Sequence, residues 1–185
     1  MKIFDMNRPY TPILLLLIAG VLFYVGKGFF MAPKYSGGQE APNFSTTLMD
    51  GRSFSLKDTR GKYVLLDFWG TWCGPCRAEF PHLIALNNKY KNAKIPGADG
   101  FEIVSIALER EGSEERTKRN IDKLGLDWDY HIFDPITNFK LFNADIATGL
   151  YGVRELPTKY LIAPDGGIVG VNISFEEIHK VLDGK

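Results

Sequence analysis

Two cysteines, Cys73 and Cys76, are the residues of this sequence best suited to carry out chemistry. They are the two cysteines of a 185-residue chain and stand in the order Trp72-Cys73-Gly74-Pro75-Cys76. A thiolate is a nucleophile, and two thiols at this spacing can approach closely enough to form a disulfide. The pair therefore predicts thiol–disulfide exchange: one sulfur attacks a partner's disulfide and the other releases the partner.

The pair is expected at the start of a helix. Residues 63–69, YVLLDFW, form a continuous apolar run that predicts a buried central strand, and a helix should follow from about residue 73 to 90. Unpaired N–H groups and the positive end of the helix dipole stabilise a thiolate there and lower its pKa. We expect Cys73, nearer the helix tip, to be the exposed nucleophile and Cys76 to be the more buried resolving thiol.

Asp67 is an acid inside the predicted central strand. Burial disfavours a negative charge, so the pKa of this carboxyl should rise toward a value that suits general acid–base chemistry. The alternative is an aspartate at a strand end whose side chain reaches solvent.

The remaining pattern alternates strands with helices and ends in a hairpin, which predicts an α/β sandwich with a mixed sheet. Ser113 is expected to cap the predicted helix over 113–124, and Ser174 with Glu177 should form a capping box on the predicted helix over 175–182. The predicted elements are a hairpin over 44–56, a strand over 101–108, a helix over 113–124, a strand over 130–133, a helix within 136–151, a hairpin over 159–171 and a helix over 175–182.

Charge and composition exclude two kinds of partner. Lys and Arg number 22, as do Asp and Glu, so the formal net charge is zero. A nucleic-acid binder usually has a basic excess, and no nucleic-acid partner is expected. Two cysteines and three histidines without ligand-like spacing are a poor stock for a structural zinc site, so no metal is expected.

Two stretches resemble thioredoxins. LLDFWGTWCGPCRAEFP, residues 65–81, resembles their active-site stretch, and GVRELPTKYLIAPDGGIVG, residues 152–170, resembles the later stretch that holds their cis-proline. The hairpin after residue 41 and the apolar N-terminal segment look like the TlpA/ResA type of membrane-tethered thiol–disulfide oxidoreductase. The resemblance implies a thioredoxin-like three-layer sandwich with a central mixed sheet, an added N-terminal β-hairpin and one preceding transmembrane helix.

The resemblance assigns roles to the residues of the motif. Cys73 matches the attacking cysteine of the family and Cys76 the resolving one. Gly74 and Pro75 match the middle dipeptide of reducing thioredoxins, which favours a reductase. Asp67 matches the buried aspartate that moves the proton of the second thiol.

The second stretch and the flanks of the motif add further candidates. Pro157 matches the cis-proline beside the disulfide, and the backbone before it pairs with an extended substrate in the family; an ordinary strand-edge proline is the alternative. Glu79 occurs in the CRxE pattern of tethered relatives, where it either tunes Cys76 or is an exposed helix glutamate. The substrate-binding residues implied by the resemblance are Trp72, Gly74, Pro75 and Leu156.

The N-terminal segment predicts a membrane anchor. Residues 13–31 are interrupted by one charge, Lys27, and would form a helix of roughly 28 Å, close to the ~30 Å hydrocarbon core of a bilayer. A cleaved signal peptide and a buried core helix are the alternatives. The expected organisation is a short cytoplasmic tail at 1–12, an anchor at 13–31, a Gly/Ser-containing linker at 32–40 and the thioredoxin-like domain at 41–185.

The resemblance also implies partners and a location. No bound cofactor is expected, since the redox-active disulfide Cys73–Cys76 is the reacting group. Disulfide-containing proteins are the expected substrates, with cytochrome c maturation or envelope redox homeostasis as the setting, and a membrane electron donor of the DsbD/CcdA kind would reload an extracytoplasmic reductase. Two alternatives stay open. One is a peroxiredoxin-like thiol peroxidase, because a segment like residues 41–51 occurs in peroxiredoxins as well as in the tethered oxidoreductases. The other is a non-catalytic thioredoxin-fold binding module.

Overall fold

The computed structural model describes residues 10–31, 33–138 and 143–185. The chain forms two units, Met1–Ala32 and Pro33–Lys185. The helices are α1 (Thr11–Met31), α2 (Gly74–Tyr90), α3 (Glu114–Leu124) and α4 (Phe175–Leu182), with a 3₁₀ turn at Leu56–Thr59 and a π-helical turn at Asp145–Leu150. The strands are β1 (Ser45–Thr47), β2 (Ser53–Ser55), β3 (Lys62–Trp69), β4 (Gly100–Arg110), β5 (Tyr130–Ile136), β6 (Thr158–Ile162) and β7 (Ile168–Val171).

A five-stranded mixed sheet in the order β5-β4-β3-β6-β7 organises the second unit. β3 is parallel to β4, and β4 to β5, whereas β6 runs antiparallel to both β3 and β7. The predicted central strand is confirmed, because β3 has a strand on each side and is buried from Val64 to Trp69. Its position explains the continuous apolar run of residues 63–69: both faces of this strand are covered.

Each face of the sheet packs against its own layer. Val64, Leu66 and Phe68 point toward the β1–β2 hairpin and the π-helical turn, in one apolar cluster. Leu65 and Trp69 point the other way, into a second cluster with residues of α2, α3 and α4. Because successive strand residues face opposite sides, Asp67 lies on the second face, with the cysteines. The result is the predicted three-layer arrangement.

Local capping decides where the helices begin. Ser174 and Glu177 form the predicted capping box on α4. Ser113 is the N-cap residue of α3, but the prediction that its side chain caps the helix is wrong. Its Oγ donates instead to the carbonyl of Arg110, at 2.6 Å, because the preceding turn brings that acceptor closer.

The segment between 136 and 151 contains a helix, as predicted, but it is a π-helical turn of six residues. The carboxylate of Asp134 accepts hydrogen bonds from the backbone N–H groups of Asp145, Ile146 and Ala147 at 2.8–3.3 Å. A buried carboxylate therefore satisfies the first unpaired N–H groups of this turn, a task that capping side chains usually perform.

α1 is long and apolar enough to cross a membrane, a property that signal sequences share. Its apolar side chains are exposed, with Leu16 at 74% and Phe23 at 75% exposure. The choice among a membrane anchor, a cleaved signal peptide and a core helix stays a prediction. Lys2 and Arg8, which flank the run in the sequence, lie outside the described residues.

The residues after α1 join the sheet earlier than the predicted domain start at 41. Gly38 donates to the carbonyl of Ile168 at 2.8 Å, Ile168 donates back to Gln39 at 2.7 Å, and Ala41 donates to Gly166 at 3.0 Å. The predicted linker spans residues 32–40. Its last residues are thus part of the folded unit, where they pair with the edge of the sheet at β7.

Candidate active site

Cys73 and Cys76 lie at the N-terminal end of α2, as the sequence predicts. Cys73 is the N-cap residue, and its Sγ accepts a hydrogen bond from the backbone N–H of Cys76 at 3.1 Å. The two sulfurs form a disulfide with Cα atoms 5.3 Å apart, so the chain is seen in its oxidised form. After reduction, a Cys73 thiolate would lie at the positive end of the helix dipole.

In the disulfide form Cys73 is 5% exposed and Cys76 is 1% exposed, so both are buried. The exposure of Cys73 as a nucleophile in the reduced form stays a prediction. Both cysteines belong to the apolar cluster beneath α2, together with Trp69 and Phe80. Cys73 is the more exposed of the two.

Cys73 lines a surface groove of about 450 Å³. One wall is formed by residues of the motif and the other by the loop before β6; the groove is lined by Trp72, Cys73, Gly74, Pro75, Arg154, Glu155 and Leu156. All four predicted substrate-binding residues are therefore brought together. Arg154 and Glu155 are additions that the sequence analysis missed, although they directly precede Leu156 in the chain.

The loop that faces the motif contains a cis peptide bond between Leu156 and Pro157. The predicted cis-proline is thus confirmed in conformation, and Pro157 directly precedes β6, which begins at Thr158. Its role beside the disulfide stays a prediction.

The end of β4 holds the loop that leads into the motif. The backbone N–H of Thr71 donates to the buried carboxylate of Glu109, and the indole Nε1 of Trp72 donates to the carbonyl of Leu108 at 2.9 Å. A Cβ at Gly70 would lie 2.8 Å from that Nε1 and 3.0 Å from the Leu108 oxygen, so only glycine fits. Glu109 was missed from the sequence; an acid at the end of a strand that is otherwise apolar is the signal.

Asp67 is buried in the sheet, with 1% exposure, and the alternative of a solvent-reaching side chain is wrong. Its register partners are Ser105 on β4 and Lys159 on β6. Burial raises the pKa of Asp67 to about 7, while the ammonium of Lys159 lowers it and the carboxylate of Glu79 raises it. The carboxyl is therefore poised to bind or release a proton near neutral pH, as expected from its place in an apolar strand.

Lys159 is a further functional candidate that the sequence analysis did not find. Its Nζ lies 2.5 Å from Oε2 of Glu79, and its side chain is 7% exposed against 28% for Glu79. A lysine within the apolar strand that follows Pro157 could have been recognised by the reasoning used for Asp67. Glu79 is half-buried and paired with Lys159, so it is not a free glutamate on the helix surface. Its negative charge raises the pKa of Asp67.

Trp69 fills the core next to the disulfide. It is fully buried, and its ring meets Phe80 edge-to-face with centroids 5.2 Å apart. Within the described part of the chain, its Nε1 and Oδ2 of Asp67 are the buried side-chain atoms without a hydrogen-bond partner. Both atoms belong to β3 and point to the face that packs on α2.

No group of three or more His, Cys, Asp or Glu side chains suited to a metal ion occurs among residues 10–31, 33–138 and 143–185. That the chain holds no metal and no bound cofactor stays a prediction.

Comparison with known proteins places these features in a family. Residues 37–171 match the AhpC/TSA family. The chain is 38% identical over 173 residues to the thiol-disulfide oxidoreductase ResA of Bacillus anthracis, covering 93% of this chain and 90% of that protein. It is 34% identical over 165 residues to ResA of Bacillus subtilis strain 168, covering 87% and 81%.

The chain belongs to the AhpC/TSA family, among its ResA-type thiol–disulfide oxidoreductases. A solved structure agrees with this assignment: the thioredoxin domain of a thiol-disulfide oxidoreductase from Bacteroides vulgatus has a TM-score of 0.64 and 26% sequence identity. The match covers 80% of this chain and 99% of that domain. The thioredoxin-like fold and the enzyme class expected from the sequence are confirmed.

Proposed function

We propose that the chain is an extracytoplasmic reductase of protein disulfides, with Cys73 as the nucleophile. The observation that supports it most directly is the position of the Cys73–Cys76 disulfide, at the start of α2 and along a surface groove. The groove admits an extended segment of a partner. The partner reacts first with Cys73, and the buried Cys76 then attacks the mixed disulfide from within the protein.

The reaction has two exchange steps. In the reduced protein, the thiolate of Cys73 attacks one sulfur of a substrate disulfide, and the other substrate sulfur leaves as a thiolate that takes up a proton. Cys76 then transfers its thiol proton to the carboxylate of Asp67, attacks Sγ of Cys73 and releases the second substrate thiolate. Two electrons pass from the protein to the substrate, which gains two thiols, and the protein is left as the disulfide observed here.

The proposed location is supported by α1 and by the chemistry together. An apolar helix of this length anchors the chain if it is retained, and a tether raises the effective concentration of the domain near a membrane-bound partner. Reduction outside the cytoplasm needs a dithiol donor that crosses the membrane, so a donor of the DsbD/CcdA kind would reload Cys73 and Cys76. Disulfide-containing envelope proteins are the proposed substrates, with the CxxCH of apocytochrome c as one class.

Two cysteine variants test the proposal. The full chain in detergent, reduced beforehand, should reduce a model protein disulfide stoichiometrically, and Cys73→Ser should abolish the reaction because no nucleophile remains. Cys76→Ser should instead accumulate a mixed disulfide through Cys73, seen as a mass increase that a thiol reductant removes. Undiminished reduction by Cys73→Ser would disprove the proposed mechanism, and rapid peroxide consumption by the wild type would favour a peroxidase.

A further inference from the structure

A row of four polar side chains crosses the sheet from β5 to β6. His131 on β5 is the register partner of Ser105 on β4, which is the partner of Asp67 on β3, which is the partner of Lys159 on β6. At the His131 end, the row is satisfied by hydrogen bonds, since Ser105 Oγ lies 2.7 Å from Nδ1 of the histidine and accepts from Nε1 of Trp128. At the Asp67 end, Oδ2 has no hydrogen-bond partner among the described residues.

Lys159 is held in place from several sides. Its backbone N–H donates to Oδ1 of Asn172 at 2.8 Å, and its carbonyl accepts from the N–H of the same residue. Its ammonium bonds Glu79 on α2 at 2.5 Å and lies 5.4 Å from the ring centroid of Phe175 on α4. A lysine side chain immobilised in this way is a fixed positive charge inside the protein and not a mobile surface group.

Two elements contribute charged groups near Asp67: β6 contributes Lys159, and α2 contributes Glu79. On β4 the register partner is the uncharged Ser105, which lies between Asp67 and His131. Cys76, also on α2, belongs to the apolar cluster on the same side of the sheet. Lys159 and Glu79 act on the carboxyl with opposite signs, because a cation favours its ionised form and an anion disfavours it. Glu79 is the more exposed of the pair, with 28% side-chain exposure against 7% for Lys159.

We propose that Lys159 is a positioning residue that, held by Glu79, keeps Asp67 ionised so that it can accept the proton of Cys76 when the mixed disulfide resolves. The inference rests on the proposed function and adds a residue to it. Without this cation the buried carboxyl would retain its own proton, and Cys76 would lose its acceptor. Lys159 touches neither the substrate nor the sulfurs in this role; it acts through Asp67.

The pH profile of disulfide reduction by the pre-reduced full chain tests the proposal. Lys159→Met should shift the acidic limb of the rate profile toward higher pH by about one unit or more. Reduction at pH 6.5 should then be about tenfold slower. Glu79→Gln should move the same limb toward lower pH, because it removes an anion that raises the pKa of Asp67. Lys159→Arg should restore the wild-type limb.

A matched control is Lys62→Met, which removes another lysine paired to a glutamate across two neighbouring strands, with Lys62 Nζ 2.7 Å from Glu102. It should leave the profile unchanged. A role in stability alone would move Lys159→Met and Glu79→Gln in the same direction, and that result overturns the proposal. If Lys159→Met does not fold, the absence of a downward shift in Glu79→Gln overturns it equally.

A second measurement separates this inference from the proposed function. The carboxyl carbon of Asp67, followed by NMR titration of the disulfide form, should titrate at higher pH in Lys159→Met and at lower pH in Glu79→Gln. This readout needs no activity. A wild type that reduces no disulfide refutes the proposed function, whereas active protein with an unmoved Asp67 titration in both variants refutes only the role of Lys159.

Discussion

Asp67 shows how one buried side chain sets both the chemistry and the stability of this protein. Its carboxyl lies among apolar neighbours on β3, and burial raises its pKa to about 7. The unfolded chain has the ordinary value near 4. Between these two values the folded state binds a proton that the unfolded state does not, so stability falls as pH rises from about 4 to 7.

Asp67→Asn should therefore stabilise the oxidised protein most at alkaline pH. At pH 8 the variant avoids burying a negative charge, a gain of at most about 4 kcal/mol for a shift of this size, while near pH 4 the two proteins should be nearly equal. Urea unfolding at both pH values measures the difference. Asp58→Asn, at an exposed acid, should show no such pH dependence; an equal effect of Asp67→Asn at both pH values would contradict the assignment.

At the scale of elements, β4 positions the nucleophile although it contributes none of the reacting groups. Its last residues bind the loop at Thr71 and Trp72, and α2 then begins directly after Cys73. The cysteine thus reaches the helix tip from a loop that is fixed by a neighbouring strand. The geometry of the motif depends on this support as much as on the motif itself.

Gly70→Ala should disturb this support. The added methyl would displace the Trp72 ring or the end of β4, which should lower the free energy of unfolding by about 1–3 kcal/mol and slow disulfide reduction. Gly74→Ala is the matched stability control, because a Cβ there meets nothing within 4 Å. Urea denaturation of both variants decides the matter: a Gly70→Ala protein as stable as Gly74→Ala would show that the close approach is unimportant.

At the scale of the whole molecule, an apolar helix precedes a thioredoxin-like unit in the sequence. The second unit begins at Pro33, and residues 38–41 are hydrogen-bonded to residues 166–168. A helix of this length and composition occurs in membrane anchors and in signal sequences alike, so the location of the second unit is testable in cells.

Labelling of the cysteines in intact cells tests the proposed location. After mild reduction, a membrane-impermeant maleimide should modify Cys73 of the full chain, and the labelled protein should stay in the membrane fraction. A chain lacking residues 1–32 should be labelled only after lysis, because it would remain in the cytoplasm. Labelling of the full chain only after lysis would place the domain inside.

Features determined by neighbouring residues were predictable from the sequence alone. The apolar run of β3, the start of α2 at the cysteines, and the capping box at Ser174 each depend on a few consecutive residues. The burial of Asp67 followed from the same run, since an acid within a central strand shares the burial of its neighbours. The resemblance to thioredoxins supplied the cis-proline and the order of the two stretches.

Contacts between distant residues were decided only by the tertiary structure. Lys159 reaches Asp67 and Glu79 because β6 inserts next to β3 in the antiparallel sense, and no local pattern specifies which strands become neighbours. The groove beside Cys73 likewise depends on residues 154–156, which lie about eighty positions later in the chain. The pairing of residues 38–41 with residues 166–168 joins segments more than a hundred positions apart. Hydrophobic periodicity and capping act over a few residues, whereas register and charge pairing depend on how the whole sheet assembles.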